Sequence, residues 1–114
     1  MTHYRQRRLL DIPYWIWLHC GMWHIEEHRR VEKQLRAAPG DILKRYEKWK
    51  DIAMISGLPG LTLITGFHDE ALRGEWQGYR SSRLGSKYRV MYRVIPEQSL
   101  FQVVHITPHN YRRV

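Results

Sequence analysis

The sequence predicts an α+β domain in which one N-terminal strand and a two-helix hairpin pack on an antiparallel β-meander. Three short runs rich in β-branched and aromatic residues lie within residues 78–107, with turn signals at 85–86 and 96–99 between them. Such runs, joined by short turns, predict neighbouring antiparallel strands. A Pro39-Gly40 corner separates two helical segments, which predicts an antiparallel helix pair.

The first strand and the first helix are expected early in the chain. Residues 22–25 have the composition of a short strand. Residues 26–38 predict a helix, because Val31 and Leu35 lie one turn apart and acidic residues stand at its start, where the helix dipole favours them.

The second predicted helix begins near Asp41, which can serve as its N-cap, and runs to about Ser56. Its apolar positions form a single stripe made of Leu43, Tyr46, Trp49 or Lys50, and Ala53. Beyond it we expect a loop over residues 57–60, a short extended piece over residues 61–64 and a connecting loop over residues 66–74.

The middle strand of the meander alternates between apolar and cationic residues. Tyr88, Val90, Tyr92 and Val94 fall on one face. Lys87, Arg89 and Arg93 fall on the other face. Because successive side chains of a strand point to opposite sides, we expect the helices to cover the apolar face and to leave the cationic face open.

Length and charge narrow the class of protein. The chain has 114 residues, a formal net charge of +8 and one cysteine, Cys20. This length fits one domain with a modest core. The positive charge predicts an anionic partner, nucleic acid before membrane, and no apolar run approaches the length that spans a bilayer. A single cysteine cannot form an internal disulfide and fits a reducing cytoplasm.

Cations cluster in the meander. Six of them lie between residues 73 and 93 against one acid, Glu75: Arg73, Arg80, Arg83, Lys87, Arg89 and Arg93. On a sheet whose other face is core, such a cluster favours a binding surface over a merely solvated one. Trp76, Tyr79 and Tyr111 interleave with the cations, and aromatic rings beside cations suit stacking on unpaired bases, although rings at such positions can also belong to the core.

The histidines give a weak indication of metal and a stronger one of acid–base chemistry. His24 and His28, and likewise His105 and His109, are four residues apart, but no set has the cysteine or carboxylate companions of a zinc site. We therefore predict no metal. His109 follows the last strand, beside the cationic one, and histidine is the natural proton donor near neutral pH.

Four motifs of the chain resemble those of the RelE/ParE superfamily of type II toxin–antitoxin toxins. Within this superfamily the similarity is to the RelE- and YoeB-like messenger-RNA interferases. The resemblance covers about residues 22–113. The motifs that carry it are Asp69-Glu70-Ala71-Leu72, Gly78-Tyr79 to Arg83-Leu84, Tyr88-Arg89-Val90-Met91-Tyr92, and Pro108-His109-Asn110-Tyr111-Arg112-Arg113.

The resemblance implies a RelE-like fold and a metal-independent endoribonuclease that cleaves mRNA on the ribosome and inhibits translation in the cytoplasm. It implies that Arg89 stabilises the scissile phosphate, that Glu70 is the catalytic glutamate, and that His109 and Tyr111 donate a proton and orient the substrate. Arg73, Arg80, Arg83, Lys87, Arg93 and Arg112 are the predicted RNA-binding residues. A cognate antitoxin protein is the expected partner, with mRNA and the ribosome.

The physical requirements of RNA cleavage agree with these roles. Attack by the 2′-hydroxyl needs a base, an acid on the 5′-oxygen and positive charge where the phosphorane develops. Glu70 can serve as base, His109 as acid, and Arg89 with Arg83 or Arg80 as phosphate clamp. Two other interpretations stay open: Glu70 as a solvated loop acid, and Arg89 as the cross-strand partner of an acid at 75 or 97.

Alternatives remain for function and for the N-terminal segment. A ParE-like inhibitor of DNA gyrase would share the fold, and a non-catalytic RNA-binding module would share the charge. We expect residues 22–114 to form the toxin domain. Residues 1–21 form an extension of uncertain structure, either an added element that docks Trp15 and Trp17 on the domain or a segment before a biological start at Met22.

Overall fold

The structure is a computed structural model that describes residues 4–6 and 22–108. Its strands are β1 (Tyr4–Gln6), β2 (His24–His28), β3 (Glu70–Ala71), β4 (Arg80–Arg83), β5 (Arg89–Ile95) and β6 (Leu100–Thr107). Its helices are α1 (Arg29–Arg36) and α2 (Gly40–Leu63). Short 3₁₀ turns at Thr65–Phe67, Gly74–Trp76 and Pro96–Gln98 complete the described part.

The strands form one sheet in the order β1-β2-β6-β5-β4-β3. Strands β4, β5 and β6 pair antiparallel in sequence, as predicted for the meander. Strand β2 pairs parallel to β6, and β1 extends the sheet beyond β2 in an antiparallel pair. The predicted α+β class, with two helices packed on a mostly antiparallel sheet, is confirmed.

The first helix begins three residues later than predicted. Residues 24–27 pair with residues 100–103 of β6, so the backbone at 26–27 is extended rather than helical. The His28 side chain then caps α1 by accepting a hydrogen bond from the backbone N–H of Arg30. Pairing with a strand more than seventy residues away overrides the local helical pattern, which sequence periodicity alone does not reveal.

The predicted loop at 57–60 and extended piece at 61–64 are wrong. Helix α2 continues to Leu63 across a single non-helical residue, Gly57, with φ 67° and ψ −161°. Pro59 falls in the first turn after this kink, where its missing N–H leaves no hydrogen bond unmade. A Cβ on Gly57 would lie 2.7 Å from Trp23 Nε1, so glycine also allows Trp23 to pack against the kink. Within residues 22–108, no helix is long and apolar enough to cross a membrane.

The core lies between α2 and one face of the sheet. Helix α2 buries Ile42, Tyr46, Trp49 and Ala53. The sheet contributes Ile25, Val90, Tyr92, Phe101, Val103 and Ile106. Leu43, predicted in the stripe, is 37% exposed, because the stripe passes through position 42 instead.

One charged side chain of α2 is also buried. Lys50 is 2% exposed, and its Nζ lies 2.9 Å from Glu47 Oε2 and 3.7 Å from Glu27 Oε2. The Tyr46 hydroxyl donates to the same Glu27 oxygen at 2.5 Å. Pairing of this kind is what allows an ammonium group to enter a core.

A buried carboxylate, that of Asp69, joins the loop before β3 to β4 and β5. The Asp69 side chain is 0% exposed, and Arg80 Nη2 lies 2.6 Å from its Oδ1. The hydroxyls of Ser82 and Tyr92 both donate to Oδ2. Trp49 Nε1 in turn donates to Ser82 Oγ at 2.9 Å, which ties this group to α2.

The ionisation of the two titratable partners reflects this burial. Burial, followed by the negative charge of Asp69, raises the pKa of Tyr92 well above its ordinary value, so its hydroxyl remains a donor. Burial alone would lower the pKa of Arg80, but the hydrogen bond and charge of Asp69 outweigh it and raise that pKa.

Removing this carboxylate should weaken the whole domain. Asp69→Ala leaves the buried Tyr92 hydroxyl and the Arg80 guanidinium without their shared acceptor, which should lower the free energy of unfolding by about 3 kcal/mol. Urea denaturation measures this as a lower midpoint with an unchanged slope.

Asp51→Ala is the control, because it removes a carboxylate that is exposed on the surface of α2. Asp69→Asn keeps one carbonyl acceptor and should lose less stability than Asp69→Ala. An Asp69→Ala midpoint equal to that of the control would show that the network does not stabilise the fold.

Candidate nucleic-acid interface and active site

The sheet face opposite the helices, called the open face below, carries the candidate site. Register places side chains of this face in rows across the strands. One row is Glu70, Ser81, Met91 and His105, and the next is Arg83, Arg89 and Thr107. The alternation of β5 between core and open face is thus confirmed, since Val90 and Tyr92 are buried against α2.

Arg89 stands at the centre of the open face. Its Nη1 lies 3.5 Å from Glu70 Oε2 and donates to Ser81 Oγ at 3.3 Å. Its side chain is 12% exposed and that of Glu70 is 27% exposed, whereas the Glu70 Oε2 atom that faces Arg89 is itself shielded from solvent. Among the described residues Arg89 pairs with Glu70, on β3, rather than with the acids at 75 or 97, and Glu70 is a strand residue rather than part of a loop.

Other predicted RNA-binding residues surround this pair. Arg83 is the register partner of Arg89. Arg93, four residues after Arg89 on β5, donates from Nε to Gln102 Oε1 at 2.8 Å, and its guanidinium carbon lies 5.7 Å from the centre of the Tyr79 ring. Lys87 and Arg73 are exposed, in the β4–β5 turn and after β3 respectively.

Arg80 does not join the open face. Strand alternation turns its side chain to the same side as Ser82 and Tyr92, where it binds the buried Asp69. Its guanidinium is part of the structural network, and a contact of Arg80 with RNA stays a prediction. Arg83, and not Arg80, is the register partner of Arg89.

The open face is not wholly cationic, contrary to expectation. Leu72, Met91 and Val104 form a small buried apolar cluster on it, against which the partly buried Trp76 and Tyr79 pack. The two rings meet edge to face, with centroids 5.6 Å apart. Each ring covers the cluster, as the core interpretation predicts, and keeps some exposed surface, so stacking on bases stays a prediction.

Four residues that matter to this face were missed as site residues. Asp69 and Ser81 lie inside the motifs that carry the resemblance, but no sequence pattern assigns either one a role of its own. His105 and Arg30 meet only in the fold: Arg30 Nη1 lies 2.7 Å from His105 Nε2, across 75 positions of sequence. Strict alternation from the buried Phe101 and Val103 would place His105 on the helix side, but the β5–β6 register shifts between Met91 and Tyr92 and brings His105 opposite Met91 instead.

Three predicted site residues at the C-terminus fall outside the described residues: His109, predicted as the proton donor, Tyr111 and Arg112. Thr107, two positions before His109 in the sequence, is the register partner of Arg89. In the part of the chain that is described, no three His, Cys, Asp or Glu side chains are grouped closely enough to hold a metal ion.

Comparison with known proteins places the fold. No protein-family model and no curated protein matches the sequence. The RelE of an archaeal RelE–RelB complex from Pyrococcus horikoshii is similar in structure, with a TM-score of 0.61 and 25% identity over 75% of this chain and 93% of that one.

Two bacterial toxins share the fold at lower identity. YafQ from Escherichia coli gives a TM-score of 0.58 and 18% identity over 74% of this chain and 90% of its own. YoeB of a YoeB–YefM complex from Staphylococcus aureus gives 0.59 and 16% identity over 77% of this chain and 98% of its own. These likenesses show a RelE-like fold, which is the fold that the resemblance of the sequence motifs implies.

Proposed function

We propose that this chain is the toxin of a type II toxin–antitoxin system and that it is a metal-independent endoribonuclease that cleaves mRNA on the ribosome. The observation that carries the proposal is the juxtaposition of Arg89 with Glu70 on an accessible sheet face, with Arg83 in register beside them. A carboxylate beside two arginines supplies a base and a phosphate clamp in one place.

In the proposed reaction, the Glu70 carboxylate accepts the proton of the RNA 2′-hydroxyl as its oxygen attacks the adjacent phosphorus. The Arg89 guanidinium, with Arg83, stabilises the negative charge that develops on the phosphorane oxygens. The bond to the 5′-oxygen breaks, and that oxygen takes a proton, a role that the family resemblance gives to His109 with Tyr111 in support. The products are a 2′,3′-cyclic phosphate and a 5′-hydroxyl end.

The partners follow from charge and from the fold. The archaeal RelE was solved with RelB and the staphylococcal YoeB with YefM. By analogy, an antitoxin with an acidic segment that folds on binding would cover the open face of this chain and block access to Arg89. The exposed part of Trp76 and Tyr79, next to Arg93, suits stacking on unpaired bases of the bound message.

Arg89→Ala should abolish toxicity, because it removes the guanidinium on which the phosphorane charge depends. Growth after induction in a bacterium, together with mapping of transcript ends, measures the effect. Arg36→Ala is the matched control, since Arg36 is an exposed arginine of α1 that pairs with Glu32. If Arg89→Ala stops growth as the wild type does, Arg89 is not the clamp. Growth arrest with DNA damage and intact transcripts would instead support the gyrase inhibitor.

Glu70→Gln should slow cleavage of RNA in a translating extract by about two to four orders of magnitude, the usual contribution of a positioned base. The amide keeps the size of the side chain but cannot accept the proton. Glu75→Gln, on an exposed residue five positions later, serves as control. Cleavage by Glu70→Gln at the control rate would remove Glu70 as the base.

His109→Gln should also reduce cleavage by about two to four orders of magnitude while RNA affinity changes little. Only the protonated imidazole can donate to the leaving oxygen, so wild-type activity should fall as pH rises, and a chelator should leave it unchanged. A variant that cleaves at the wild-type rate would transfer the proton donation to Tyr111 or to a group on the ribosome.

A further inference from the structure

Arg93 lies on the open face, away from the pair that Arg89 forms with Glu70. It follows Arg89 by four residues on β5, which corresponds to roughly 13 Å along the strand. Its Nε donates to Gln102 Oε1 at 2.8 Å, and its guanidinium carbon lies 5.7 Å from the centre of the Tyr79 ring. One amide oxygen and one aromatic ring therefore hold the guanidinium in place.

Gln102 is itself held from strand β2. Its side chain is almost fully buried, and its Nε2 donates to Glu26 Oε1 at 3.1 Å. Because Nε2 is directed to Glu26, the opposite atom of the amide, Oε1, is directed to Arg93. Glu26, Gln102 and Arg93 are register partners across β2, β6 and β5. The sheet itself thus sets the orientation of the Arg93 guanidinium.

The terminal amino groups of Arg93 are the part of this side chain that the fold does not use. Within residues 22–108, Arg93 donates its hydrogen bond through Nε, and no carboxylate pairs with its Nη1 or Nη2. The guanidinium groups of Arg80 and Arg89 differ in this respect, because each pairs with a carboxylate. An arginine fixed through Nε presents Nη1 and Nη2 as a planar fork of donors, at little further cost in conformational entropy.

The surface beside this fork suits a base better than a phosphate. Tyr79 packs on the apolar cluster of Leu72, Met91 and Val104, and the ring of Trp76 meets it with the two planes 89° apart. The backbone of Tyr79 is held on both sides, since its N–H donates to the Trp76 carbonyl and its own carbonyl accepts from the Leu72 N–H. Rigid aromatic surface favours the stacking of a base, whereas a phosphate gains nothing from it.

A fork of two donors can bind two neighbouring acceptors on one edge of a base. Guanine presents N7 and O6 together on its major-groove edge, whereas adenine has an amino donor beside N7, cytosine has an amino donor, and uracil has a single acceptor there. We propose that Arg93 binds N7 and O6 of a guanine that stacks against Tyr79, and that this contact gives the nuclease a preference for guanine at a fixed distance from the cut. This rests on the proposed function, in which the same RNA strand reaches Arg89.

Oligonucleotides with 2′-O-methyl sugars, which cannot be cleaved, test this by fluorescence anisotropy. Each carries one guanosine at a different position of a uridine chain, and a matched set carries adenosine instead. We expect one position at which the wild type binds the guanosine oligonucleotide about tenfold more tightly than the adenosine one. An analogue of guanosine with carbon in place of N7 should lose most of this gain.

Arg93→Lys should remove most of the difference between the two oligonucleotides, because lysine keeps the charge but lacks the planar fork. The ratio of the two affinities isolates base recognition, since a general change in electrostatic attraction affects both oligonucleotides alike. Arg36→Ala, on an exposed arginine of α1, is the control and should keep the ratio. Equal urea midpoints show that the variants are folded.

Three results would each overturn the proposal. These are equal affinities for guanosine and adenosine at every position, a preference for guanosine that Arg93→Lys retains, and no binding of any oligonucleotide by the wild type.

Mapping of transcript ends separates the base site from the nuclease. If the wild type prefers guanosine as described but cuts no RNA in any extract, the base site stands and the nuclease assignment fails. If the wild type cuts transcripts with no guanine recurring at a fixed distance from the ends, and Arg93→Lys cuts at the same positions, the nuclease stands and the base site fails.

Discussion

The buried carboxylate of Asp69 is the constraint on which the open face depends. Three side chains from two strands converge on it, and the Trp49–Ser82 bond extends the group to α2. An ionised group without exposure is tolerated only when such partners surround it, so the loop before β3 has one acceptable position. The short strand β3 has only two residues of its own, and Asp69 supplies the attachment that so few ladder bonds cannot.

The position of Glu70 follows from that of Asp69. Adjacent residues of an extended chain point to opposite sides. Because the Asp69 side chain is fixed on the helix side, Glu70 is turned to the open face, where it meets Arg89 at 3.5 Å. The same alternation in β4 separates Arg80, which binds Asp69, from Arg83, which lies opposite Arg89. Of the two acids, Asp69 is structural and Glu70 lies on the open face. Of the two arginines of β4, Arg80 is structural and Arg83 lies on the open face.

The assignment of these residues to one face or the other could be predicted from the sequence only in part. The face that each residue of β5 occupies was predictable, because apolar and cationic residues alternate along this strand. Which face each residue of β4 occupies could not be predicted in this way. Ser81 and Ser82 are both polar, so hydropathy does not distinguish the face of Arg80 from that of Arg83. The motif around Glu70 and Arg89 identified the pair. Contacts such as Arg30 with His105 join residues far apart in sequence and depend on a register shift that no local pattern announces.

The arrangement of charge on the open face is itself unfavourable for folding, which favours a functional explanation. Arg83 and Arg89 are direct partners on the same face of an antiparallel pair, and like charges so placed destabilise a sheet. Ser81 and Glu70 offset part of this repulsion through their contacts with Arg89. A phosphate between the two guanidinium groups would replace their repulsion by two attractive interactions. It would also weaken the ion pair between Arg89 and Glu70. Local conflict that a ligand resolves is typical of sites kept for binding or catalysis rather than for stability.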